Sequence, residues 1–152
     1  MLGVGLNIAS SAVSGVSVSK GATFSNDYSL LLDGVGDYFD TNYSANDVFD
    51  GSYSVSVWAR PTDGRNGTQM LWGGGSATDY IYASIDALGR LVTLHLSNSD
   101  AAIVTSPVVF DDGAQSAWTH VVLNVIYSVG SDTTYHFYVN GSAVTTTTLL
   151  AV

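Results

Sequence analysis

Between Ser52 and Pro61 the chain runs SYSVSVWARP, which sets Tyr53, Val55, Val57 and Ala59 on one side of an extended strand and Ser54, Ser56, Trp58 and Arg60 on the other. Period-two alternation dense in β-branched and aromatic residues predicts a strand in the middle of a sandwich, with one face in the core; Pro61 stops it by removing a ladder donor. The same pattern recurs along the chain. YSLLLDG, from Tyr28, predicts a buried strand ending on the turn signal Asp33-Gly34, and YFDT, from Tyr38, predicts a second short strand. TQMLWGGG is a strand that runs into three glycines. DYIYASID sets Tyr80, Tyr82 and Ser84 against Ile81, Ala83 and Ile85. Leu88-Gly89 closes a tight turn into RLVTLHLS, whose apolar side is Val92, Leu94 and Leu96. IVTSPVVF is a further strand, broken or pushed to an edge by Pro107.

WTHVVLNVIY places Val121, Leu123 and Val125 on one face and Trp118, His120, Val122 and Asn124 on the other. YHFYVNGSAV predicts a hairpin with Asn140-Gly141 as its two-residue loop, where both positions need a positive φ. TTTTLLAV is the return strand. Its uncharged residues form an edge with no Lys, Pro or bulge to blunt it, so the pattern predicts that the edge is occupied, by a partner subunit or by the chain's own arm. SANDVFDG, Ser44 to Gly51, is a loop or a single helical turn; TDGRNG and DDGAQSA are loops. About ten short strands with regular turn signals predict an all-β antiparallel jelly-roll sandwich. Residues 1–27 form an N-terminal arm rich in Ser, Gly and Val. Alternation around Val13–Ser19 suggests an edge strand there, with a partly ordered arm as the alternative.

Composition sharpens the class. Hydrophobic residues make up 46% of 152 residues and charged residues only 11%, so solubility rests on Ser, Thr, Asn and Gly. Every acid is an aspartate and Lys20 is the one lysine, a poor supply for helix surfaces. The net charge of −9, against four scattered cations, argues against nucleic acid and against anionic membranes. No cysteine is present, which excludes disulfides and thiolate metal sites. No apolar run reaches the length of a membrane span, and no cation precedes Lys20 as a secretory leader requires. The start of the chain is therefore expected to belong to the mature protein.

The motifs YSLLLDGVGDYFDT, SYSVSVWARP, QMLWGGG, LGRLVTLHL, WTHVVLNV and YHFYVNGSAV follow in an order and spacing that resembles the laminin-G-like, concanavalin A-like lectin/glucanase superfamily. The likeness covers Tyr28 to Val144. It rests on Asp33-Gly34 with Asp37-Tyr38, on Trp58 to Pro61, on Trp118 to His120 and on Tyr138 to Gly141. Residues 28–152 are accordingly expected to be a LamG-like domain. Family members continue with a Tyr-Ile-Gly strand and an Ile-Asp-Glu strand, and neither occurs here. Truncation, the arm, or a neighbouring chain would account for this. The front end also resembles LamG-like proteins of bacteriophage virions.

The resemblance implies three kinds of chemistry. Hydrolases of the superfamily use a pair of glutamates, and this chain has no glutamate, so no enzymatic activity is expected. His95, His120 and His136 lie in strands among apolar neighbours and read as packed residues, with no nucleophile elbow beside them. Many relatives bind calcium through loop oxygens, which makes Asp37, Asp40, Asp111 and Asp112 candidates, with Asp47 and Asp50 beside them; turn capping is the alternative. For glycans the candidates are Trp58, Trp72, Tyr80 and Tyr82 for stacking, with Arg65 and Asn66 from the adjoining loop. The expected role is a structural or decoration protein on a virion surface, capsid or tail appendage. Its partners would be other virion subunits, copies joined at edge strands, and cell-surface glycans. The alternative is an extracellular lectin-like adhesion module of a secreted bacterial protein.

Overall fold

A computed structural model of the chain describes residues 2–5, 30–32, 38–42, 51–76, 79–97, 100–115, 117–127 and 132–149. Ten strands follow in order: β1 (Leu2–Gly5), β2 (Leu30–Leu32), β3 (Tyr53–Ala59), β4 (Gln69–Gly75), β5 (Asp79–Ile85), β6 (Arg90–Ser97), β7 (Asp100–Val108), β8 (Thr119–Ile126), β9 (Thr133–Val139) and β10 (Ser142–Leu149). The described residues contain no helix. All pairing is antiparallel, in a six-stranded sheet of order β10-β9-β8-β3-β1-β2 and a four-stranded sheet of order β4-β5-β6-β7. After β3 the chain crosses to the second sheet, runs its meander, and returns as β8 beside β3.

Alternation decides which side chains meet between the sheets. Val57 and Ala59 of β3, Val121, Leu123 and Val125 of β8, and Tyr135 and Phe137 of β9 pack against Leu71, Ile85, Leu91, Ala102 and Val104 of the second sheet and against Phe110. Each large side chain so buried contributes about 1.5–3 kcal/mol. Burial raises the Tyr53 and Tyr135 phenol pKa values, so both rings stay neutral in the core.

Most predicted elements recur. Asn140 and Gly141 take φ of 49° and 82°, the left-handed pair that a two-residue hairpin needs. Pro107 sits in β7, which is an edge strand, with a register shift opposite it in the β6–β7 pair. Four expectations differ. The strand of YSLLLDG is not buried: its described residues form the three-residue strand β2 at the sheet edge, with Leu30 44% and Leu31 57% exposed, because an edge strand is covered by a ladder neighbour on one side only. YFDT is not a strand: the Asn42 amide donates to Asp40 Oδ1 at 2.7 Å, Asn42 has φ 58°, and Tyr38 is 80% exposed. An extended segment without a neighbour to pair with closes into an Asx turn instead. The β10 edge is not free of irregularity, because the register shifts between Ala143 and Thr145. Lastly, the apolar side of β6 is its outer side: Leu91 and Thr93 face the core, whereas Val92, Leu94 and Leu96 point away from it. Val13–Ser19, the Asp33-Gly34 turn and SANDVFDG up to Asp50 lie outside the described residues.

The turn from β5 to β6 is built around Asp86. Its Oδ1 accepts the amides of Leu88 and Arg90, and its Oδ2 takes the Arg90 Nε at 2.7 Å. Burial pushes this carboxyl up, but the Arg90 side chain and the two amides outweigh it and hold it below the usual aspartate range.

Candidate functional site

The two outer faces of the sandwich have opposite chemistry. On the six-stranded sheet, β3 and β8 pair so that Trp58 faces His120, Ser56 faces Val122 and Ser54 faces Asn124. Across the next ladder Val122 faces Tyr138 and Asn124 faces His136, and His136 faces Thr146 of β10. The rings of Trp58 and His120 stack with centroids 4.8 Å apart at 21°. His120 Nε2 lies 2.6 Å from Ser56 Oγ, while its backbone exchanges two hydrogen bonds with Asn140, each 2.9 Å. Beyond the end of β3, the Arg60 guanidinium rests over the Trp118 ring, 5.3 Å from its centroid. Further along, Ser54 Oγ donates to Asn124 Oδ1 at 2.8 Å, and His136 Nδ1 lies 3.0 Å from Thr146 Oγ1.

This face carries hydroxyl, amide, imidazole and aromatic groups. No strand of its sheet contains an acid, in a chain with thirteen aspartates. Trp58 is 37% exposed and so offers ring surface to a ligand. The arrangement suits stacking and hydrogen bonding.

The outer face of the four-stranded sheet is apolar. Tyr80 and Tyr82 lie nearly parallel, at 7°, with centroids 6.2 Å apart. On one side they face Leu96 and Leu94 of β6, which face Ala101 and Ile103 of β7. On the other side Gly75 and Gly73 of β4 present no side chain. Ile103 is 57% exposed and Met70 48%.

The glycan candidates are thus spread over the molecule. Trp58 is on one outer face, and Tyr80 and Tyr82 are on the opposite one. Trp72 is half-buried and packed against the core. Arg65 and Asn66 are exposed in the β3–β4 loop, where Asp63 Oδ1 accepts the amides of Arg65 and Gly113 at 3.0 and 3.1 Å. Those two donors hold the Asp63 carboxyl below its ordinary range. The pairing brings no two of Trp58, Trp72 and the tyrosine pair into one site.

Of the calcium candidates, Asp40 bonds its own turn and Asp111 and Asp112 are exposed loop residues; Asp37, Asp47 and Asp50 lie outside the described residues. Among the described residues no three histidines or acids gather as metal ligands would. His95 packs inward, with Nδ1 3.2 Å from the buried Tyr135 hydroxyl, as expected of a packed histidine. His120 and His136 instead stand on the outer face. The sequence signal for them was strand parity: His120 alternates with Val121, Leu123 and Val125 in WTHVVLNV, and His136 alternates with Tyr135 and Phe137 in YHFYV.

A laminin-G-type family model, described as the concanavalin A-like lectin/glucanases superfamily, matches residues 33–152. None of the curated proteins or solved structures compared with the chain matches it.

Proposed function

We propose a structural role for this chain, which belongs to the concanavalin A-like lectin/glucanase superfamily: it is a non-enzymatic building protein of a virus particle, placed at the capsid surface or in a tail appendage. The observation that carries this reading is the outer face of the four-stranded sheet. Tyr80, Tyr82, Leu94, Leu96 and Ile103 form a continuous apolar surface with no charged side chain among them. Such a surface on a free protein costs solubility, and covering it with a neighbouring subunit recovers that free energy. β10 supports the same reading, since among the described residues it is paired on one side only and carries no charge. The lack of any glutamate, with Asp111 and Asp112 exposed in a loop, supports a role without glycoside hydrolysis.

The purified full chain is expected to self-associate in light scattering. Tyr82→Lys combined with Ile103→Lys should shift it to monomer with little change in melting temperature, and Thr146→Lys with Thr148→Lys should remove any association made through β10. Antibody against the protein is expected to label gradient-purified particles. A monomer at every concentration, found in culture fluid and absent from particles, would favour the second reading. That reading is an extracellular lectin-like adhesion module, and the stacked Trp58–His120 pair on an acid-free face is the observation that favours it.

A further inference from the structure

We infer that Asn66 is a site of covalent self-modification: it converts to aspartate and isoaspartate through an imide closed with Gly67, while the fold shields the same dipeptide at Asn140-Gly141. The inference does not rest on the assembly reading. Its starting point is a pair of Asn-Gly dipeptides in one chain, one in the β3–β4 loop and one at the β9–β10 hairpin. An asparagine followed by glycine is open to attack by the next backbone nitrogen, because glycine sets no Cβ beside that nitrogen and lets the chain turn freely. The step needs only water. The Gly67 nitrogen gives up its proton and bonds to Cγ of Asn66; the bond from Cγ to Nδ2 breaks, and ammonia leaves with that proton. One water then opens the five-membered imide at either carbonyl, giving aspartate or isoaspartate. Water enters, ammonia leaves, and nothing is oxidised or reduced.

The two dipeptides differ in what must break before the ring can close. Asn140 is clamped to the neighbouring strand: its backbone amide donates to the His120 carbonyl and its Oδ1 accepts the His120 amide, each at 2.9 Å. The side-chain oxygen thereby continues the β8–β9 ladder one step beyond the Val121–Val139 pair. Closing an imide here swings Cγ toward Gly141 and strips the His120 amide of its acceptor. It also takes Asn140 and Gly141 out of the φ values of 49° and 82° that the hairpin requires. Val139 and Ser142 pair directly on either side of the loop, so the turn yields only if the strands fray. Asn66 is under no such restraint. Arg65, Asn66, Gly67 and Thr68 are all exposed, and among the described residues no hydrogen bond holds the Asn66 side chain. The Gly67 amide donates to the Arg65 carbonyl at 3.0 Å, a three-residue turn that opens without disturbing a strand. On the side where a Cβ would stand, nothing lies within 4 Å of Gly67, so water reaches the imide once it forms. Conversion adds a carboxylate beside Arg65 to a chain of net charge −9, and isoaspartate also lengthens the main chain of the loop by one carbon.

The test ages the full chain in mildly alkaline buffer at body temperature, beside a sample unfolded in guanidinium chloride and an unaged control. Trypsin cuts after Arg60, Arg65 and Arg90, so Asn66 falls within residues 61–90, where it is the sole asparagine, and Asn140 within 91–152. Mass spectrometry should find the amide-to-acid mass gain on the first peptide, and enzymatic methyl transfer should find isoaspartate there. Fragment ions locate any gain at Asn140. In the folded chain Asn66 should convert at least about tenfold faster than Asn140, the worth of the two hydrogen bonds that clamp the latter. In denaturant the two should convert at similar rates. Asn66→Gln, whose ring would need six members, should remove the gain from residues 61–90, and melting curves before and after ageing confirm that the chain is folded. No gain at Asn66 while the unfolded chain converts, conversion of Asn140 as fast as Asn66 in the folded chain, the same rate ratio in denaturant, or a gain that persists in Asn66→Gln would each overturn the inference.

Discussion

Gly89→Ala is expected to lower stability by about 3–5 kcal/mol, which at roughly 2–4 °C per kcal/mol for a domain of this size is a fall in melting temperature of about 10 °C. Gly89 has φ 75°, a region in which an added Cβ costs about 1–2 kcal/mol. The larger part of the loss is steric. A Cβ here would fall far inside van der Waals contact distance of the Phe110 carbonyl oxygen and against its carbon, both backbone atoms that cannot swing aside. The Gly89 carbonyl also accepts the amides of Val109 and Phe110, each at 2.9 Å, so the chain after β7 is held against this turn. Relieving the clash moves Phe110, whose ring is fully buried in the core. Gly113→Ala is the control: its φ is 86° but nothing lies within 4 Å of the added carbon, so only the local conformational cost of about 1–2 kcal/mol should appear. Thermal and denaturant unfolding of the two variants should separate crowding from backbone strain. Equal losses would show that Phe110 yields freely.

The second large effect separates the two sides of β6. Leu91→Ala should cost about 3 kcal/mol, because Leu91 is fully buried, faces Ile85 across the ladder, and leaves a cavity that its neighbours close only in part. Leu94→Ala, three residues on and pointing outward, should cost about 1 kcal/mol or less in the monomer. Denaturant midpoints measured side by side decide the matter: equal losses would mean that Leu94 is covered from within the chain.

That pair of leucines also marks where sequence reading ends. In β3 every other residue from Ser52 to Ser56 is a serine, so the polar side is unmistakable and Val57 and Ala59 are core by elimination. In β6 neither side is polar enough to decide. Hydrophobicity favours Val92, Leu94 and Leu96, yet register with β5 places Leu91 beside Ile85 and Thr93 beside Ala83, where the Thr93 hydroxyl is satisfied by the Tyr82 carbonyl at 2.8 Å. A threonine with a hydrogen-bond partner can be buried, and local hydropathy carries no record of that partner. YFDT fails for a related reason, since a strand needs a ladder and the ladder partner is not written in the segment itself. For the candidate site, the aromatic residues were legible but their grouping was not. Trp58 meets His120 only because β3 and β8 pair in one register across a separation of more than sixty residues, as the Ser56–His120 contact, 64 apart, attests. Tyr80 and Tyr82 are aromatic like Trp58 and sit on the other sheet.

The unequal edges of the two sheets bear on symmetry. β2 is three residues long, β4 ends in glycines after a register shift, and β7 carries Pro107, so each offers a short or broken row of backbone donors and acceptors. β10 is different: from Thr145 to Leu149 it is regular and uncharged. A second copy adding its own β10 antiparallel to this one would form an isologous contact, in which each subunit spends the same edge. The described residues offer a third copy no comparable edge. Strand addition through the described edges would therefore close at a two-fold pair instead of propagating into a fibre: an edge that is hazardous where two such strands are open is self-limiting where the described residues offer one.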